Sequence, residues 1–190
     1  SGTSAGAAMM SDPMIEWGNS PEALLVGEHD VDDRAVKTIP GMGFFPYGLT
    51  DQHFIYRARF GRLLAAQEST NTTLGFGIEE NRAIHVDLAT DQITVLGDQG
   101  LFLIDRSQTE REGLARRNVR VSLLGDGDIV DGNTGAITFH KDRAPVPMAI
   151  QMAKEFDLPE DVWGRGEFQT FFPAWVLADD EAVTLTGDHF

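Results

Sequence analysis

The apolar positions change period part-way along the chain. Between residues 54 and 67, Phe60, Leu63 and Leu64 recur at helical spacing, and Arg57, Arg59 and Arg62 ride on the same segment. That stretch predicts the best helix of the sequence. From Leu74 onward the period shortens to two. Residues 83–88, 92–96 and 101–104 alternate or run apolar at strand length, with Asp91, Gly97 and Gly100 between them. This predicts a meander of short strands, continued by strands at 119–124 and 136–140. Residues 147–156 predict an amphipathic helix with Pro147 near its start, and 182–185 a last strand. In the first quarter, 5–10 reads as a short buried helix ended by Ser11-Asp12-Pro13. Residues 17–40 read as a surface excursion with a short strand at 24–26. Residues 49–53 read as a strand end or the loop just beyond it.

Composition narrows the partners. The chain has 190 residues, 42% of them hydrophobic, which suits one domain with a core. Its net charge is −15, from 30 acidic and 15 basic residues. An acidic balance argues against nucleic acid, which needs a basic face, and permits a cationic substrate. With no cysteine, disulfides and thiolate metal sites are excluded. No apolar run approaches the roughly 20 residues of a membrane span, so no membrane partner is expected. Cytoplasmic location is favoured, with secretion left open.

The candidate chemistry begins at Gly2-Thr3-Ser4-Ala5-Gly6, which matches G-x-S-x-G, a nucleophile elbow. The motif places a serine on a tight strand-to-helix turn. The amide of Ala5, at the following helix start, is the oxyanion donor. Gly6, Ala7 and Ala8 are small enough to let that helix pack closely on a sheet. The motif requires a strand before it, yet only three residues precede Ser4. The expectation is therefore a single domain over 1–190 that forms the C-terminal part of a larger hydrolytic domain and pairs with an N-terminal fragment of the same protein.

Serine needs a base, and the chain offers five histidines. His29 lies in an acidic loop and His189 at the terminus. His85 and His140 fall within strand patterns, where structural roles are the better expectation. His53 lies at a strand-to-helix junction, where α/β proteins place functional side chains. The orienting acid falls to Glu79-Glu80, a pair that composition alone would read as a solvated turn. A second chemistry, an N-terminal nucleophile at Ser1, is the alternative.

Three blocks carry a resemblance: Gly2–Ala7, then Asp51-Gln52-His53-Phe54 with Arg57, Arg59 and Arg62, then Gly77-Ile78-Glu79-Glu80-Asn81. In order and rough spacing they resemble cyanophycinase, a serine peptidase family that also contains aspartyl dipeptidase. The resemblance covers about the first half of the chain. It implies a Ser4-His53-Glu80 triad, with Glu79 pointing elsewhere. It places Asp51, Gln52, Arg57, Arg59 and Arg62 in or near the substrate site. Of the arginines, Arg59 is expected to meet the substrate carboxylate and Arg57 to pair with Asp51. It implies hydrolysis of cyanophycin, an arginine-bearing poly-aspartate, to β-aspartyl-arginine dipeptides, or of an aspartyl or isoaspartyl dipeptide, without metal or cofactor. It also implies a homodimer, and an α/β flavodoxin-like fold: a mostly parallel sheet with helices on both faces, its N-terminal strands missing from this chain.

Overall fold

The computed structural model describes residues 1–27, 35–97 and 100–140. The helix expected at 147–156, the strand at 182–185, His29 and His189 lie outside the described residues.

Among the described residues, three helices and twelve strands are formed: α1 (Ala5–Ala8), β1 (Met14–Trp17), α2 (Ser20–Val26), β2 (Lys37–Ile39), β3 (Leu49–Gln52), α3 (Phe60–Ser69), β4 (Leu74–Ile78), β5 (Ala83–Asp87), β6 (Gln92–Leu96), β7 (Leu101–Asp105), β8 (Glu110–Glu112), β9 (Ala115–Arg117), β10 (Arg120–Leu124), β11 (Ile129–Asp131) and β12 (Ile137–Thr138). They make two four-stranded sheets, ordered β10-β7-β4-β3 and β12-β11-β6-β5, and two small ribbons, β1-β2 and β8-β9.

The expected flavodoxin-like sheet is not found. Among the described strands only β3 and β4 pair in parallel, and the other pairings are antiparallel. The reason is connection length. A parallel pair needs a crossover of about a dozen residues or more. The segment from Gln52 to Leu74, which holds α3, supplies one. From β5 to β6, β8 to β9 and β11 to β12 the links are short turns, and residues such as Asp91, Gly113 and Gly135 at positive φ reverse the chain within them. Such links return each strand antiparallel.

The β3-bearing sheet is covered on both faces. Phe54, Leu63, Ala66, Phe102 and Ile104 belong to one buried cluster, under α2 and α3. Phe76, Leu101, Leu103 and Leu124 belong to a second, shared with Ile93, Val95 and Val130 of the other sheet. Adjacent residues of β7 thus point into opposite cores, as the period of two requires.

Two element readings need correction. Residues 24–26 are helical, not a strand. Asn19 caps α2, accepting the Glu22 amide at 3.3 Å through its side chain, with Pro21 in the first turn. The long helix starts at Phe60 rather than Phe54, because Ala58 sits at φ 47°, which breaks helical geometry between His53 and Arg59. Arg57 and Arg59 therefore precede the helix. No helix of the described residues is long and apolar enough to cross a membrane.

Candidate active site

The site lies where the two parallel strands end. β3 stops at Gln52 and the next residue is His53. β4 stops at Ile78 and leads straight to Glu79 and Glu80. Parallel pairing with Gln52 opposite Ile78 brings these ends side by side. Ser4 reaches them from α1, which Thr50 of β3 holds by donating its hydroxyl to the carbonyls of Ala7 at 2.9 Å and Ala8 at 3.2 Å.

Ser4 sits at φ 53°, ψ −122°, a strained position for a residue with a side chain. Its turn closes tightly: a Cβ on Gly2 would lie 2.0 Å from the Gly6 carbonyl oxygen. Gly2 is thus required by close approach. Gly6 is not, since nothing crowds its Cβ position, and close packing falls to the buried Ala8 instead.

The Ser4 Oγ lies 3.0 Å from His53 Nε2, and His53 Nδ1 lies 2.8 Å from Glu80 Oε1. A carboxylate only accepts, so Nδ1 carries the ring proton and donates it to Glu80. Nε2 is then left to accept from the Ser4 hydroxyl. All three groups reach solvent, with the His53 side chain 26% and the Glu80 side chain 47% exposed. The arrangement can take a proton from a hydroxyl and hold the resulting imidazolium beside a negative charge.

Glu79 points away from His53, and it is buried rather than solvated. Its carboxylate accepts the backbone amides of Ile55 at 2.5 Å, Tyr56 at 3.1 Å and Glu80 at 2.8 Å. The acidic composition of the turn hid this. The available signal was its position directly after the glycine-rich buried strand.

The arginines divide differently from the expectation. Arg62 is 5% exposed and Asp51 fully buried. Arg62 grips both Asp51 oxygens, through Nε at 2.7 Å and through Nη2, and donates Nη1 to the Gly18 carbonyl at 3.0 Å. Arg59 lies 3.7 Å from Asp51 and donates to the Gln52 carbonyl at 2.5 Å. Burial pulls its guanidinium down to about 10, against the upward pull of Asp51, so it stays charged at neutrality. Asp51 therefore pairs with Arg62 and Arg59, not with Arg57. Arg57 is exposed and makes no ion pair among the described residues. The Gln52 side-chain oxygen is buried and accepts no hydrogen bond from the described residues. Among those residues no cluster of His, Asp or Glu is arranged to hold a metal ion.

No protein-family model matches the chain. Curated relatives do. A cyanophycinase of Geminocystis herdmanii is 34% identical over 137 residues, covering 67% of this chain and 47% of that protein. The chain is cyanophycinase-like. Cyanophycinases of Synechococcus elongatus and Trichormus variabilis are 33% and 32% identical over 136 residues, covering 40% and 43% of those proteins. The chain thus spans less than half the length of these cyanophycinases.

Proposed function

We propose that this chain carries the catalytic centre of a serine peptidase that hydrolyses cyanophycin to β-aspartyl-arginine dipeptides. The observation that carries the reading is the continuous hydrogen-bonded chain from Ser4 Oγ through His53 to Glu80. In this reading Ser4 attacks the scissile carbonyl and His53 takes its proton. Glu80 orients the ring and stabilises the imidazolium. The Ala5 amide meets the oxyanion. His53 then returns the proton to the leaving amine, and water releases the acyl group from Ser4 by the same route in reverse.

The surroundings support an aspartyl substrate. Arg57 is the arginine left facing solvent, and a guanidinium suits a main-chain or terminal carboxylate. Arg59, Arg62 and Asp51 serve the substrate by holding β3 and its end rather than by touching it.

The test is hydrolysis of purified cyanophycin by the full-length protein and its Ser4→Ala variant, with products identified by mass. Release of β-aspartyl-arginine by the parent and not by the variant supports the reading. Activity on α-aspartyl or isoaspartyl dipeptides with none on the polymer would move the substrate to the dipeptides. Activity lost in Ser1→Ala but kept in Ser4→Ala would move the nucleophile to Ser1.

A further inference from the structure

Glu79 is a buried carboxylate with no ion pair among the described residues and a 7% exposed surface. Burying a charge without a direct ion pair is costly. The compensation here comes from three backbone amides, with the Arg59 guanidinium close enough to interact with its charge. Two of them, Ile55 and Tyr56, belong to the turn that follows His53. The third belongs to Glu80.

These amides lie on opposite sides of the proposed proton relay. The turn at 54–56 hangs from the end of β3 and fixes His53, itself at φ 48°. Glu80 hangs from the end of β4. Within each segment nothing in the sheet ladder extends past Gln52 or Ile78 to fix their separation. One Glu79 oxygen takes both amides of the His53 turn, and the other takes the Glu80 amide. A single rigid carboxylate therefore sets the distance between the two residues that must meet at 2.8 Å.

We infer that Glu79 is a positioning residue, the brace that registers the His53 turn against Glu80. The inference rests on the serine-peptidase reading above. Without the brace, His53 and Glu80 shift independently. A misplacement of about 1 Å costs on the order of 100-fold in rate.

The experiment compares Glu79→Ala and Glu79→Gln with the parent, Ser4→Ala and Glu80→Gln in the full-length protein. Cyanophycin turnover is read as kcat and KM, together with the thermal midpoint. For Glu79→Ala, kcat should fall about 100-fold with KM within twofold. Glu79→Gln keeps an oxygen for the Ile55 and Tyr56 amides but turns an N–H group toward Glu80. It should show the same fall in kcat at unchanged KM, to a smaller degree. A Glu79→Gln protein that folds with parental kcat overturns the inference, whatever Glu79→Ala does. So does a Glu79→Ala loss that is fully explained by its unfolded fraction. Ser4→Ala separates the two readings. If it still hydrolyses cyanophycin, the peptidase reading falls and takes the brace with it. If it is inactive while both Glu79 variants behave as the parent, only the brace falls.

Discussion

The two four-stranded sheets share a core but are built on different terms. β4 and β7 are buried along nearly their whole length, whereas β5 and β6 alternate between buried or half-buried and exposed positions. The first sheet holds the parallel pair and the second is antiparallel throughout. The difference decides where chemistry can sit. In an antiparallel pair, consecutive strands end on opposite sides of the sheet. In the β3–β4 pair they end on the same side, so His53 and Glu80, 27 residues apart in sequence, meet. The antiparallel sheet contributes packing.

The contrast can be broken most sharply at the nucleophile. Ser4→Ala should lower peptidase turnover by on the order of a million-fold while the thermal midpoint stays put. An unchanged rate would detach the site from the parallel pair altogether. Next in size is the buried support of that pair. Arg62→Met removes the two direct bonds to Asp51 and leaves it only Arg59, at 3.7 Å, as an ion partner, which should cost up to about 3–5 kcal/mol of stability, read by denaturant unfolding. A neutral result would mean that the ion pair does not hold β3. On the other sheet, Ile93→Ala should cost about 2–5 kcal/mol yet leave kcat unchanged at temperatures where the variant is folded. A kcat that fell with it would erase the division between packing sheet and site sheet.

Gly77→Ala sharpens the comparison within β4. A Cβ there would lie 2.4 Å from the Phe54 ring, next to His53. The overpacking should cost about 1–3 kcal/mol and lower kcat as well, which kinetics at low temperature would reveal. The smallest effect belongs to the packing side. Tyr47 donates its hydroxyl to Asp91 at 2.6 Å, and that bond, followed by burial and the Asp91 charge, pushes its phenol from 10.0 to about 12. The folded form keeps the proton longer than the unfolded chain does. The contribution is therefore complete below the ordinary tyrosine value and disappears as pH rises toward 12. Unfolding midpoints between those limits should fall more steeply for the parent than for Tyr47→Phe, and the parent's full advantage should be present at neutrality.

Much of the β architecture was legible because Ile84, Val86, Ile93 and Val95 alternate along strands that bury one face. The sheet type was not. It depends on link lengths and on residues such as Asp91 adopting positive φ, which tertiary contacts select as much as identity does. Leu24-Leu25-Val26 read as a strand because a short apolar run fits either state, and the decisive signals were Asn19 and Pro21 upstream. Phe54 looked helical because its spacing to Phe60 and Leu64 is, while Ala58 breaks the helix between them. The site residues stood out through their motifs. The roles of Asp51, Arg62 and Glu79 did not, because a charge reads as solvated until burial is known.

Strand β7 also sets where the chain can change length. Phe102 and Ile104 fill one core while Leu101 and Leu103 fill the other. Deleting or inserting a single residue within 101–105 would exchange the two sets and mispack both cores at once. The β8–β9 ribbon, exposed along much of both strands, carries no such parity. Length variation among natural or engineered versions of this chain should therefore collect between Ser107 and Asn118 and be absent from β7.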